Sequence, residues 1–554
     1  MSLKLHTLAL SITALASAQG ATTASPNAPG ERVLHNETAY IPPQCYTKTR
    51  DAAGDVHNPC YVCHTESRRP NFINDGDLQL AYSLPHPATD NPWTNLFRDR
   101  SDAIAQVSDD EMLAYLREDN YTDAVGRIIP ADRLFQPLAA WDFNGDGHWQ
   151  GFIPDAVFDF DDEGFDHDRD GVHTGWRAFA YHPFPGTFWP TNGSTGDVLI
   201  RLPAVFRKAT DGHDDLAVYK INLAIVEAMV READVPIAPT DETTLGGTDL
   251  DKDGRIGTAS IVRYDWAPLK GRHMTYVGAA AQAQRQGRIH LAAGLYPEGT
   301  EFLHTVRYID PMADGRPRLS ARIKEVRYAR KDQWLNYGLL EARAAKEAKE
   351  KSDFPDRSRF IRGNIEHGVR NGQGWTYAGL IEDANGALRP QSFEELAHCV
   401  GCHGGIGATT DSSFALPRKL PAGTFRDGWY HWSQQAETLI ADRVREDGKG
   451  EYALYLEENG AGDEFRSNDE VRARFFDVTS TPRADALSRL QTDIGTLLEP
   501  SRERALQLNK AYLSIVREQS FDRGRIPTMQ PLETVYRRVD DRDVTGVAEP
   551  VRGR

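Results

Sequence analysis

Cysteine is scarce in this chain: there are five in 554 residues. Four of them fall in two short clusters, so Cys45 stands alone, and an intramolecular disulfide framework is excluded once the clusters are engaged elsewhere. Long apolar runs are missing as well. The most apolar early stretch, Leu8 to Leu15, is far shorter than the roughly 20 residues a bilayer span needs, and no later run qualifies. Positive charge does not prevail: 64 Lys and Arg face 81 Asp and Glu, for a formal net charge of −17. That balance argues against nucleic acid as a partner and suits a soluble chain that could meet a basic protein. The length is enough for two or more hydrophobic cores.

The two clusters are Cys60-Tyr61-Val62-Cys63-His64 and Cys399-Val400-Gly401-Cys402-His403. Each reads C-x-x-C-H, the attachment signature of a c-type haem. Two thiols at this spacing reach the two vinyl groups of one porphyrin, and the following His is held under the iron as proximal ligand. A zinc site or a dithiol redox pair also uses C-x-x-C. Two complete copies in a chain this poor in cysteine favour two covalent haems, with His64 and His403 as proximal ligands. The paired motifs make the chain resemble dihaem c-type cytochromes, and distantly the dihaem cytochrome c peroxidase-like proteins. The resemblance implies haem-bound electron transfer or, in the peroxidases, one six-coordinate and one catalytic haem.

The sixth ligand of each iron separates these activities, since a second His or a Met saturates the metal while an open position admits oxygen or peroxide. His304, within Glu301 to Tyr308, is the first candidate distal ligand, because an unpartnered imidazole in an aromatic and apolar segment is costly. Met529, in a Pro-framed loop from Ile526 to Pro531, is the second, and it is one of only six methionines. A satisfied core His and a core Met are the competing readings. His57, His86, His290, His367, His398 and His431 are further possibilities.

Three segments begin like calcium loops, D-x-[DN]-x-D-G. Their candidate ligands are Asp142, Asn144 and Asp146; Asp166, Asp168 and Asp170; and Asp249, Asp251 and Asp253. Alternating oxygens followed by a turn-forming Gly wrap a hard cation. A full EF-hand closes with a bidentate Glu at the twelfth position, where these loops hold Ile153, Arg177 and Ser260. Ca2+ bound here would be structural, and plain acidic turns are the alternative.

Met1 to Lys4 is a basic start, and Ala16-Ser17-Ala18 closes the apolar run as a small-residue cleavage site, the pattern of a signal peptide. No Cys follows it directly, so the expectation is an exported periplasmic or secreted chain without a lipid anchor. The organisation expected is a signal peptide (1–18), a linker (19–40) and a first haem module (41–130). A loop-rich α+β domain with the calcium loops (131–310), a helical second haem module (311–540) and a mobile tail (541–554) follow. Charged sequence from Arg318 to about Lys351 predicts solvated helix. The fold class expected is mixed and mainly α, with a loop-rich α+β centre and cytochrome c-like haem-binding segments near both ends. The function expected is electron transfer through two haems to an unidentified redox partner protein. The alternative is a peroxidase-like oxidoreductase with one open haem.

Overall fold

Of the charged stretch from Arg318 to about Lys351, the later part is helix as expected, Tyr337–Asp353, but Pro317–Lys331 is a strand near the middle of the main sheet. This emerges from a computed structural model, which describes residues 34–50, 53–67, 70, 80–186, 190–313, 317–435, 440–460, 468–540 and 542–549. The leader therefore lies outside the described residues. Asn36–Arg554 forms one compact unit.

A short hairpin, β1 (Thr49–Arg50) with β2 (Val56–His57), precedes the first motif. The main sheet contains β3 (Phe165–His167), β4 (His173–Ala178), β5 (Thr195–Gly196) and β6 (Leu199–Arg201). The hairpin of β7 (Val235–Asp241) and β8 (Thr258–Val262) stands apart from it. The main sheet continues with β9 (Glu301–Pro311), β10 (Pro317–Lys331), β11 (Arg362–Asn364), β12 (Gly368–Arg370), β13 (Trp375–Glu382) and β14 (Leu388–Pro390). Its ten strands run β11-β12-β13-β10-β9-β6-β4-β3, with β14 on β13 and β5 on β9, and every pair is antiparallel.

The expected mainly α class is thus corrected to a mixed α/β fold built on a ten-stranded antiparallel sheet. The reason is visible in β10. Arg322, Lys324, Glu325 and Lys331 are all buried, against the rule that a charge run is a solvated face. Each has a partner. Arg322 donates to Glu382 at 3.3 Å and to Glu118 at 2.7 Å. Glu325 accepts from Arg327 at 2.9 Å and from Arg525 at 2.7 Å. Lys331 pairs with Asp411. Pairing offsets part of the cost of burying these charges, so a strand that reads as polar occupies the core. The position 310 falls inside β9, whose partner is β10, so the sheet runs on through this point.

Helices cover the sheet where apolar spacing is clearest. Leu216–Arg231 starts at Asp215, whose carboxylate accepts from the N–H of Ala217 at 2.8 Å and Val218 at 3.1 Å. It ends at Glu232 in the left-handed region, φ 53°. Almost all of its residues from Val218 to Val230 are buried, Asn222 and Glu227 among them, as befits an interior helix. Arg502–Glu518, capped by Ser501, is fastened to β9 where Asn509 donates to the Ile309 carbonyl at 2.7 Å. The described part of the C-terminus is held as well: Asn58 N–H donates to the Thr545 carbonyl at 2.7 Å, and Val544 bridges to Ala81.

Candidate functional site

The first motif is a single helical turn, Cys60–Cys63, entered through Pro59. Asn58 pins it: its side-chain amide donates to the Cys45 carbonyl at 2.9 Å and to the Tyr82 hydroxyl at 2.6 Å, while the Cys60 thiol donates to Asn58 Oδ1 at 2.9 Å. The second motif forms the end of the helix Phe393–Cys402, which opens with a capping box between Ser392 and Glu395. Glu395 is buried and bidentate with Arg389, at 2.8 Å on both oxygens, rather than a surface charge. Gly401 is required by contact: a Cβ there would stand 1.9 Å from the Tyr40 carbonyl oxygen. The second motif is thereby laid against the chain that leads into the first.

Both motifs open into one cavity of about 1650 Å³, and Cys60, Cys63, His64, Cys399, Cys402 and His403 all line it. That volume exceeds the range of ordinary single-ligand pockets, about 300–1,000 Å³. The motifs meet at backbone level too, since Ala408 N–H donates to the Cys63 carbonyl at 3.0 Å. Burial pushes the thiols of Cys60 and Cys399 up.

His403 Nδ1 donates to the Ser412 carbonyl at 2.8 Å, which fixes the tautomer and leaves Nε2 as the lone-pair nitrogen. Burial lowers its pKa to about 4, so the imidazole is neutral, the ligating form. Three buried polar atoms on the cavity wall, Ser358 Oγ, Thr376 Oγ1 and His398 Nδ1, find no partner among the described residues. Arg327, Arg359, Arg362 and Arg370 line the same space, a set of donors for carboxylate groups. The donor set, the volume and the orphaned polar atoms fit two haems.

Of the distal candidates, His304 lines the cavity from β9. Its Nδ1 donates to the Asp197 carbonyl, the same second-sphere arrangement as at His403, and the two imidazoles are near enough to affect each other's charge. Gly196 makes room for the ring, because a Cβ there would lie 2.4 Å from His304 Cε1. Met529 does not line the cavity. Its carbonyl instead accepts from Arg100 N–H at 3.0 Å. His431 is a satisfied core residue. It donates from Nε2 to Asp197 at 2.9 Å, accepts from Ser433 N–H at 3.1 Å, and stacks on Phe160 at 4.5 Å. Burial of Asp197 works to raise its pKa, but the hydrogen bond from His431, the Arg307 guanidinium and the Thr305 hydroxyl outweigh it and hold the carboxyl low.

His57, His86, His290 and His367 lie away from the cavity wall, whereas His398 is on it with its pKa lowered to about 3 by burial. Sequence reasoning missed His182, a cavity-lining imidazole whose pKa burial lowers to about 4. The one signal for it is its place in Tyr181-His182-Pro183-Phe184, at the head of a turn-dense connector.

The three acidic loops behave differently. In the first, Asp142 accepts from Gly145 N–H and Gly147 N–H, both at 2.7 Å, and the buried Glu366 arrives from the β11–β12 turn to accept from Gln150 N–H at 2.7 Å. In the second, Asp166 is buried and turned away, latching Val157 N–H at 2.9 Å and Asp159 N–H at 3.0 Å. Asp168 accepts from Asp170 N–H and Val172 N–H, both at 2.9 Å. The third loop converges: Asp249 and Asp251 bring carboxylate oxygens within 4.8 Å of Glu242 and of each other. Asp249 Oδ1 is buried without a partner among the described residues, while Asp253 turns back to accept from Arg255 N–H at 2.7 Å. Glu242 Oε1 accepts from Leu250 N–H at 2.5 Å and Oε2 from Gly257 N–H at 2.8 Å, which ties this carboxylate to the loop. It lies upstream of the loop, where a forward EF-hand pattern does not look.

A family described as lipoprotein matches residues 31–489 of the chain. The chain belongs to this lipoprotein family. A relative from Aquifex aeolicus (strain VF5), described as an uncharacterized lipoprotein, is 32% identical over 539 residues, covering 89% of this chain and 86% of its own. No solved structure matches. These findings correct the resemblance drawn from the motifs: the family is one of lipoproteins, and its description carries no cytochrome, haem or electron-transfer term. Membership agrees with an exported chain, and it stands against the expectation that no lipid anchor is used. No helix among the described residues is long and apolar enough to cross a membrane.

Proposed function

We propose that this lipoprotein-family member carries two covalently attached haems and passes single electrons between them and a redox partner protein in the periplasm. The observation that supports the reading is the single cavity shared by both C-x-x-C-H motifs. Haem supplies the one-electron chemistry when bound. The chain does the rest. Cys60 and Cys63, and Cys399 and Cys402, provide the thiols, and His64 and His403 the proximal nitrogens. Ser412 holds the His403 ring by its Nδ1 proton. His304, oriented through the Asp197 carbonyl, would saturate the second site, and His182, also on the cavity wall, the first. Arg359, Arg362 and Arg370 would receive carboxylates, and Phe302, Trp375 and Tyr377 give the cavity an aromatic wall. Ca2+ at Glu242, Asp249 and Asp251 would brace the β7–β8 hairpin without entering the redox chemistry.

The test is low-temperature EPR of the oxidised protein. Low-spin signals from both irons, unchanged by cyanide or azide, are expected for a carrier. A high-spin iron that shifts on adding peroxide or cyanide would replace this reading with that of an oxidoreductase.

A further inference from the structure

The hairpin of β3 and β4 places His167 directly opposite His173 in the antiparallel register. Their rings stand 4.3 Å apart. Asp161, from the turn just before β3, brings its Oδ2 to 3.9 Å from His167 Nε2. One ligand atom from each of the three lies within 4.8 Å of the others. None of the three lines the cavity of the two motifs.

Each group is prepared for the role. Asp161 Oδ1 is occupied by Glu163 N–H at 2.8 Å and Phe165 N–H at 2.9 Å, which orients Oδ2 toward the histidines. The Asp161 carbonyl accepts from Gln434 at 2.8 Å, and Asp161 N–H donates to the Phe165 carbonyl at 3.0 Å, so its backbone is fixed. His167 Nδ1 lies 3.4 Å from the Asp159 carbonyl, the second-sphere contact that leaves Nε2 as donor atom. The His173 ring packs edge-on against Phe165, with centroids 5.5 Å apart, which steadies it. Strand alternation explains the division of labour in the segment Asp166-His167-Asp168: Asp166 faces inward to the Val157 and Asp159 amides, and His167 faces the opposite way.

The geometry points to a zinc-type divalent metal site formed by Asp161, His167 and His173, with the remaining positions open to water on the exposed His173 side. Two imidazoles and one carboxylate are the donor set of open zinc centres, whereas the oxygen-only loops suit calcium. The ion would clamp the β3–β4 hairpin to the turn that precedes it.

The experiment is equilibrium dialysis of the intact, haem-loaded protein against Zn2+ in excess Ca2+, paired with thermal unfolding. Calcium keeps the carboxylate loops filled, so it isolates the imidazole site. One Zn2+ per chain is expected, with a higher Tm. His173→Gln, an exposed substitution that leaves the fold standing, is expected to weaken uptake by roughly tenfold or more and to abolish the Tm gain. Asp161→Asn is expected to do the same, and Asp249→Asn to do neither. Absence of stoichiometric uptake, displacement of Zn2+ by Ca2+, or uptake that survives His173→Gln would overturn the site.

Discussion

At the scale of single residues, one glycine and one carboxyl bear the account. Gly196 leaves space for the His304 ring, so Gly196→Ala is expected to displace that imidazole without touching either C-x-x-C-H motif. The measurable outcome is an altered low-spin EPR spectrum for one iron with the haem content unchanged. An unaltered spectrum would remove His304 as a ligand. Glu382 is fully buried among Tyr308, Tyr115 and Arg322, and burial raises its pKa from 4.5 to about 7 against the lowering by those partners. The folded state therefore keeps a proton that the unfolded state loses across this window. Stability falls as pH rises from about 4.5 to 7 and is not further affected by this group above it. Glu382→Gln is expected to flatten that part of the urea-stability profile; an unchanged slope would contradict the assignment. The two C-x-x-C-H motifs can be read from the sequence because each is a local pattern of residue types at fixed spacing. His182 and Glu242 cannot, because each joins its site only through a contact that chain folding makes.

At the scale of elements, the lesson lies in β10. Its charged composition reads as a solvated helix, and only the tertiary partners Glu382, Arg525 and Asp411 make a buried strand of it. Helix Leu216–Arg231, by contrast, follows a local pattern, with apolar residues at helical spacing behind an Asp cap. Leu223, fully buried within it, is expected to cost about 2–5 kcal/mol on Leu223→Ala, read as a lower urea midpoint. The helix Phe393–Cys402 depends on Gly401 at its contact with Tyr40. Gly401→Val is expected to lower Tm and to reduce haem at the second motif more than at the first, seen by peptide mass mapping. Equal loss at both would mean that the contact does not set the second motif. The β7–β8 hairpin carries the remaining element-scale prediction: Ca2+ removal by EGTA is expected to lower Tm in the wild type and to have no effect in Glu242→Gln.

At the scale of the whole molecule, two motifs separated by most of the chain converge on one cavity because a ten-stranded sheet and its helices fold the intervening segments around it. The convergence was not legible from the sequence, since neither periodicity nor spacing reports long-range contact. The chemistry of the motifs and the description of the family point in different directions, and the haem count decides between them. The measurement is the number of covalently attached haems per chain, from intact mass and the haem absorbance of the denatured protein, expressed with a haem-attachment system. Two haems are expected in the wild type, one after Cys60→Ser with Cys63→Ser, one after Cys399→Ser with Cys402→Ser, and none when both pairs are replaced. A wild-type chain that carries no covalent haem under these conditions would contradict the account.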